Sequence, residues 1–165
     1  MKKAFEQVVE FHNAFDLPIC KRPNIPSMPR RVLRARLENE ELAELNQAED
    51  KQDITGIADA AGDLIYVILG RCAEYGIPIV EVFNEIHRSN MSKLGADGKP
   101  IHRADGKVTK GPNFTPPNLD SILFPNRLDN PQDTGYLTNI EAPAQNSECP
   151  MRFRKSKTNY HGTNY

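Results

Sequence analysis

Five carboxylate residues lie close together in the first half of the sequence, on two predicted helices. Glu40, Glu41 and Glu44 belong to one helix, and Asp59 and Asp63 follow on the next helix at a spacing of i, i+4. If the two helices pack side by side, four or five carboxylates meet in one cleft, where unpaired charges are costly. A hard divalent cation with oxygen ligands removes that cost. The pattern therefore predicts a metal site for Mg²⁺, with Mn²⁺ as the alternative ion.

Two of these glutamates continue an apolar stripe along their helix. At about 100° of rotation per residue, Leu33, Leu37, Glu40 and Glu44 fall within roughly 60° of one another. We therefore predict that Glu40 and Glu44 point where a helix normally buries leucine. The alternative is a solvated acidic face paired with lysine or arginine, which a short EExxE string alone would favour.

Length and composition limit the possible functions. The chain has 165 residues, which indicates one domain, and a net charge of −1, which gives no general attraction to nucleic acid or membranes. We therefore expect no stable nucleic-acid partner and no membrane association. The N-terminal residues lack the continuous apolar run of a signal peptide, and no run is long enough to span a membrane. Cys20, Cys72 and Cys149 are far apart and not spaced as zinc ligands, so we expect a cytoplasmic location.

Helical periodicity and breaker residues predict an all-α four-helix bundle. Four prolines between residues 17 and 29 exclude a regular helix there. Gly76 is a predicted helix C-cap, and Pro78 suits the first turn of the last helix. Four helices joined by short links bury one common core. The predicted helices span roughly residues 5–15, 30–48, 53–75 and 78–91.

A short repeat follows the last predicted helix. The sequence Ala-Asp-Gly-Lys occurs at residues 96–99 and again at residues 104–107. Since Asp-Gly favours tight turns, residues 93–112 are predicted to form a small hairpin or irregular flap. From Arg88 to Lys110 six basic residues face two aspartates, an excess of four positive charges. This flap is either a cationic lip for a polyphosphate or a solvated turn.

The remainder of the chain is different in character. Residues 119–165 are rich in Pro, Asn, Thr and Ser and show neither helical nor strand periodicity. We therefore predict an all-α domain over residues 1–118, including the basic flap, and an extended, poorly structured C-terminal arm over residues 119–165.

Several stretches of the sequence resemble a known superfamily. The strings EELAE at residues 40–44 and DAAGDLIY at residues 59–66 resemble the two-part acidic signature of the all-α nucleoside triphosphate pyrophosphohydrolases. That superfamily includes MazG, phosphoribosyl-ATP pyrophosphohydrolase and dimeric dUTPase. The longer stretch from Val82 to Phe114 is similar to the MazG-like, phosphoribosyl-ATP-pyrophosphohydrolase-like branch of bacteria and phages. The resemblance covers roughly residues 1–118.

The resemblance implies hydrolysis of a (d)NTP to a (d)NMP and pyrophosphate, in a homodimer or homotetramer. By analogy with phage members, purine deoxynucleotides such as dGTP or dATP are the expected substrates. Phosphoribosyl-ATP is a near alternative. A further alternative is a non-catalytic nucleotide-binding or assembly protein. It is motivated by the long C-terminal arm and by a departure from the family pattern: the family has a Glu three residues before its metal-binding Asp, and here Ala60 stands before Asp63.

Residue roles follow from the same resemblance. Glu40 or Glu41 would hold Mg²⁺ together with Glu44 and Asp63, and Asp59 would replace the missing Glu. Glu41 would position or deprotonate the attacking water. The expected substrate-binding residues are Arg88, Asn90, Lys93 and Lys110 for the phosphates or sugar, and His12, Asn13 and Phe15 for the base. Two alternatives stay open: Arg88 and Lys93 also suit the negative end of the last helix, and His12 could be a core residue.

Overall fold

The computed structural model describes residues 1–125, and this part of the chain is helical. It contains no strand, apart from an isolated antiparallel bridge between His102 and Val108. The predicted all-α class is therefore confirmed. The helices are α1 Lys2–Ala14, α2 Met28–Asp50, α3 Ile54–Tyr75, α4 Ile79–Met91 and the single turn α5 Asp120–Leu123.

Helices α2 and α3 form the main packed pair, and α1 packs on α3 and also contacts α4. The link between α2 and α3 is short, so the two helices run antiparallel. It ends at Asp53, whose carboxylate accepts the backbone N–H groups of Thr55 and Gly56 at 3.1 Å. This side chain satisfies two of the open donors at the start of α3. The sequence from Gln47 onward therefore fixes the turn that brings the two acidic segments onto neighbouring helices.

The end of α3 is defined by Gly76 and by the proline-rich connector. Gly76 has a φ of 64°, and a Cβ atom there would lie 2.1 Å from the carbonyl oxygen of Arg22. Only glycine fits this position, so the predicted C-cap is confirmed. The connector runs beside it, because the Cys20 N–H donates to Ala73 O and the Asn24 N–H to Tyr75 O, both at 2.9 Å.

Three charged residues and one histidine from three helices contact one another. We call His12, Arg30, Arg34 and Glu74 the ionic cluster. The Glu74 carboxylate is 1% exposed and accepts from Arg30 Nε at 3.1 Å and Arg34 Nε at 2.8 Å. Arg34 Nη2 lies 3.1 Å from His12 Nε2, and His12 Nδ1 lies 3.0 Å from Pro18 O. Arginine can only donate. His12 Nε2 therefore accepts, and the ring proton on Nδ1 donates to Pro18.

The apolar core of the described chain is small, whereas many large apolar side chains remain exposed. The buried apolar residues are Val8, Cys20, Ala48, Ala60, Leu69, Cys72, Ala73 and Val82. By contrast Ile65 in the middle of α3 is 55% exposed, and Phe83 on α4 is 48% exposed. Exposed apolar patches are typical of protein interfaces.

The predicted flap consists of two equivalent tight turns. In the first, the Gly95 N–H donates to Lys99 O at 2.8 Å and the Lys99 N–H to Asp97 Oδ1 at 3.0 Å. In the second, the Arg103 N–H donates to Lys107 O at 2.9 Å and the Lys107 N–H to Asp105 Oδ1 at 3.1 Å. Both turns place a glycine at positive φ, 74° and 81°. The eight-residue sequence repeat is thus also a structural repeat.

Beyond the flap the described part of the chain continues to residue 125. The helical turn α5 lies inside the segment that was predicted to be an extended arm, and the rest of that arm, with Cys149, lies outside the described residues. None of the helices within residues 1–125 combines the length and the apolar character that crossing a membrane requires.

Candidate functional site

The face of α2 that packs on α3 differs from the predicted stripe. Glu40 and Glu44 are exposed, and Leu33 is 38% exposed, whereas Arg34 is buried and Glu41 is partly buried. The inward positions repeat the predicted spacing but are displaced by one residue. The prediction that Glu40 and Glu44 point where leucine is buried is therefore wrong. The reason is that Arg34 enters the interior as an ion pair, and a pattern built on leucine does not detect such a position.

The negative charges of the other four predicted carboxylates act on Glu41. Burial raises the pKa of Glu41, and the negative charges of its neighbours raise that pKa further, in the order Glu44, Asp63, Glu40 and Asp59. The pKa of Glu41 on α2 is therefore raised by both acids of α3 as well as by the two glutamates on its own helix. We call these five residues the acidic cluster.

The acidic cluster fits a hard divalent cation in its chemistry. Every donor is a carboxylate oxygen, the ligand type that Mg²⁺ prefers, and the mutual repulsion of the acids is what a cation would relieve. Within residues 1–125 no three His, Cys, Asp or Glu side chains converge tightly enough to form a ready-made metal cage. Glu40, Glu44, Asp59 and Asp63 are instead exposed, and Glu41 is partly buried. This suits Mg²⁺, which usually keeps several waters and binds one or two carboxylates together with substrate phosphates.

Position 60 is part of the helix packing. Ala60 is 4% exposed, whereas Asp59 and Asp63 on either side are exposed. The position where the resembling family has a glutamate is thus occupied by a small buried side chain. Asp59 remains in the acidic cluster through its effect on Glu41.

A cross-helix ion pair lies one turn from Glu41, and sequence reasoning missed it. Both carboxylate oxygens of Glu38 accept from Arg71, with Nη2 2.6 Å from Oε2. The guanidinium carbon of Arg71 also lies 5.7 Å from the centroid of the Tyr75 ring. The two residues are 33 positions apart in sequence, so no local spacing could have signalled the pair.

Arg88, predicted to contact phosphate, is held by its own chain. It donates from Nε and Nη2 to Glu85 at 2.8 Å, from Nη1 to Thr115 Oγ1 at 2.6 Å and from Nη2 to Pro116 O at 3.1 Å. Glu85 also accepts the Asn118 N–H at 2.7 Å. These contacts, led by that of Arg88, lower the pKa of Glu85 to about 2. Arg88 and Glu85 thus hold residues 115–118 against α4 through hydrogen bonds.

The other predicted phosphate ligands gather at the C-terminal end of α4. Lys93 Nζ donates to Asn90 Oδ1 at 2.7 Å, and the Gly111 N–H donates to Lys93 O at 2.9 Å, which brings Lys110 to the same end. Lys110 Nζ lies 4.4 Å from the centroid of the Phe114 ring. The main contacts of α4 are with α1, whereas the acidic cluster lies on α2 and α3. The basic residues therefore lie on α4 or in the segment that follows it, whereas the acids lie on α2 and α3.

The predicted base-contacting residues of α1 divide into two groups. His12 is 2% exposed within the ionic cluster, so its assignment as a base contact is corrected to the alternative, a core residue. Burial, the largest effect, lowers the pKa of His12 and keeps the ring neutral. Asn13 is exposed. Phe15 is 65% exposed, and its ring packs on Phe11 at 4.3 Å between centroids.

An all-α fold with carboxylates gathered on an antiparallel helix pair is the arrangement of the all-α nucleotide pyrophosphohydrolases. The comparisons with known proteins define the family within that class. Residues 8–90 match the family model of phosphoribosyl-ATP pyrophosphohydrolase. The chain therefore belongs to this family, and its general activity is that of a nucleotide pyrophosphohydrolase.

One solved structure similar to this chain comes from Exiguobacterium sp. 255-15 and is assigned as an NTP pyrophosphohydrolase. The two sequences are 30% identical, and the match covers 68% of this chain and 88% of the other, with a TM-score of 0.39. No curated protein gave a significant match to the sequence.

Proposed function

We propose that the protein is a metal-dependent nucleoside triphosphate pyrophosphohydrolase that converts a (d)NTP and water into a (d)NMP and pyrophosphate. The observation that carries the proposal is the acidic cluster, in which four carboxylates from α2 and α3 act on Glu41. Neighbouring like charges lower stability unless a cation binds them. A protein that retains them needs a function for that cation.

Mg²⁺, or Mn²⁺ in its place, would be held by Glu40 or Glu41 with Glu44 and Asp63, and Asp59 would complete the set. When bound, the ion neutralises triphosphate charge and orients the phosphates for in-line attack. Ala60 is buried and apolar, so the α3 ligands in this proposal are the two exposed aspartates. Both of them are near enough to Glu41 to raise its pKa.

Glu41 is the residue that we propose to activate water. It is the one partly buried member of the acidic cluster's α2 residues, while Glu40 and Glu44 are exposed. Its carboxylate would accept a hydrogen bond from the water and take its proton as the water oxygen attacks the α-phosphorus. A new bond forms between that oxygen and the α-phosphorus. The bond to the bridging oxygen breaks, and pyrophosphate leaves with the electron pair.

The remaining substrate contacts are proposed for exposed residues. Asn90, Lys93 and Lys110 lie together at the end of α4 and are suited to phosphate or sugar oxygens. Arg88 would have to give up its hydrogen bonds to Glu85, Thr115 and Pro116 before it could bind a phosphate. Asn13 and Phe15 are the exposed candidates for the base, and purine deoxynucleotides such as dGTP or dATP are the proposed substrates.

Phosphoribosyl-ATP is a second candidate substrate. It is favoured by the family model that matches residues 8–90, which describes phosphoribosyl-ATP pyrophosphohydrolase. The bond broken would again join the α- and β-phosphates, so the same carboxylates would serve both substrates. The two candidates differ only in what the base and ribose pocket must accept.

We also propose that the working enzyme is a homodimer or homotetramer. The large exposed apolar side chains on α2, α3 and α4, including Leu42, Ile65 and Phe83, support this proposal, because packing against a second copy would remove them from water.

The direct experiment is a panel of (d)NTPs and phosphoribosyl-ATP, each incubated with Mg²⁺ or Mn²⁺ and assayed for pyrophosphate. We expect turnover of at least one nucleotide, no turnover with EDTA, and loss of turnover in Glu44→Gln, which keeps the side-chain shape and removes its charge. Absence of turnover with every nucleotide, in protein that retains its helical circular dichroism, would favour a non-catalytic nucleotide-binding role. Full activity of Glu44→Gln would contradict the metal assignment.

A further inference from the structure

Glu38 lies on the α2 face that packs on α3 and adds a sixth carboxylate near the five of the acidic cluster; Arg71 binds both of its oxygens. The two side chains are only 29% and 24% exposed. The guanidinium is also placed over Tyr75. A planar, two-point grip of this kind fixes the direction of a carboxylate more firmly than a single contact can.

Glu38 lies close to the acidic cluster, so its contact with Arg71 affects the carboxylates that are available to a metal. Glu38 precedes Glu41 by three residues, and side chains at i and i+3 on a helix are neighbours, with Cβ atoms about 5–6 Å apart. An unpaired carboxylate at position 38 would therefore adjoin the acidic cluster as a further oxygen ligand. The charges that act most strongly on Glu41 come instead from Glu44, Asp63, Glu40 and Asp59.

We propose that Arg71 is a positioning residue for the active site: it binds both oxygens of Glu38 and so keeps a sixth carboxylate from competing with Glu41 for the metal. The inference rests on the proposed function. It also explains why a basic residue sits on α3 beside a surface that is otherwise built to attract cations.

The inference predicts opposite effects on metal binding and on turnover. In Arg71→Met, the loss of a positive charge and the release of Glu38 make the surface more negative, so the protein binds Mn²⁺ more tightly. Turnover falls, because Glu38 draws the ion away from the geometry set by Glu41. A simple loss of helix packing would instead weaken metal binding and turnover together.

The experiment compares wild type, Arg71→Met, Glu38→Gln and the double variant. Electron paramagnetic resonance measures Mn²⁺ binding without nucleotide, and pyrophosphate release gives kcat and KM. For Arg71→Met we expect a Mn²⁺ Kd about threefold lower and a kcat about tenfold lower. Glu38→Gln is the matched control and keeps kcat within about threefold, because it lacks the competing charge. The double variant recovers the kcat of Glu38→Gln.

Three results would overturn the inference: Mn²⁺ binding and kcat that Arg71→Met leaves unchanged, a double variant as slow as Arg71→Met, or Mn²⁺ binding that weakens with kcat. If Arg71→Met does not fold, Arg71→Lys replaces it, since lysine keeps the charge but cannot grip both oxygens. Its lower kcat should again be restored by Glu38→Gln. Wild-type protein that neither binds Mn²⁺ nor releases pyrophosphate would overturn the proposed function itself, whereas an active wild type with no rescue overturns only the role of Arg71.

Discussion

At the scale of single residues, the acidic cluster shows both what spacing can predict and where it fails. The spacing of Glu40, Glu41, Glu44, Asp59 and Asp63 predicts shared helix faces, because i, i+3 and i, i+4 positions are neighbours on a helix. The pKa of Glu41 responds to the charges of the other four acids. Which glutamate lies inward was not predictable from leucine positions. The inward face of α2 is set by ion pairs such as that of Arg34, whose partner Glu74 lies 40 residues away.

The basic residues show the same limit. The pairing of Arg88 with Glu85 follows an i, i+3 spacing that the sequence displays. The contacts of Arg88 with Thr115 and Pro116 depend on how the chain returns to α4 after the flap. A count of positive charges therefore located a basic region but could not show which basic side chains already form hydrogen bonds within the chain.

The first prediction concerns Glu41. We expect Glu41→Gln to reduce kcat by about 10²- to 10⁴-fold, the usual contribution of a general base, with a smaller change in KM. Glu49→Gln is the matched control, because Glu49 is exposed on the same helix and does not belong to the acidic cluster. Steady-state pyrophosphate release measures both. Equal activities of the two variants would show that Glu41 has no catalytic role.

At the scale of elements, the helices were predictable because their ends are set by local chemistry. Prolines placed the connector, Gly76 placed the end of α3, and α2 was found two residues longer at each end than predicted. The ionic cluster could not be foreseen in the same way. It joins α2 and α3 through charged side chains and α1 through the neutral ring of His12, and sequence patterns assign charged side chains to the surface.

The second prediction tests how closely α3 approaches the ionic cluster. A Cβ atom at Gly70 would lie 2.8 Å from Arg34 Nη1 and 3.0 Å from His12 Nε2, whereas one at Gly62 would meet no atom within 4 Å. We expect Gly70→Ala to lower the free energy of unfolding by about 1–3 kcal/mol through overpacking. Gly62→Ala in the same helix should raise it by about 0.5–1 kcal/mol. Urea titrations measure both, and equal effects of the two variants would contradict the close packing at Gly70.

The third prediction concerns pH. The folded protein lowers the pKa of His12 from 6.5, so below that pH the unfolded chain binds more protons than the folded chain. Stability from this group is therefore complete above about pH 6.5 and is lost as the pH falls towards the folded pKa. Arg34, Arg30 and Glu74 are the charged groups that face the same ring. We expect urea midpoints to fall with pH between about 7 and 5, and more steeply in wild type than in His12→Gln. Parallel slopes would show that His12 is not the titrating group.

At the scale of the whole molecule, many large apolar side chains of the described residues are not buried within the single chain. Sequence composition could show that apolar residues suffice for a core, but only the structure shows how many large ones stay exposed within residues 1–125. Ile65 and Ile68 on α3 are 55% and 42% exposed. Exposure of this size on the central helix supports the proposal that a second copy covers it.

The fourth prediction tests that assembly. Introducing a charge at a buried contact between subunits leaves the charge unpaired and desolvated. We therefore expect wild type to have the mass of a dimer or tetramer in light scattering, and Ile65→Lys to shift it towards the monomer. Ala58→Lys is the control, because Ala58 is exposed on the same helix but is small. A monomeric wild type would contradict the proposal.

The claim that five carboxylates on α2 and α3 serve phosphoryl chemistry is tested most directly by turnover in ¹⁸O-labelled water. With a (d)NTP or phosphoribosyl-ATP and Mg²⁺, attack on the α-phosphorus places the label in the nucleoside monophosphate product. We predict labelled monophosphate, unlabelled pyrophosphate, and no product after chelation of the metal. Release of orthophosphate, label in the pyrophosphate, or turnover that persists in EDTA would contradict the account.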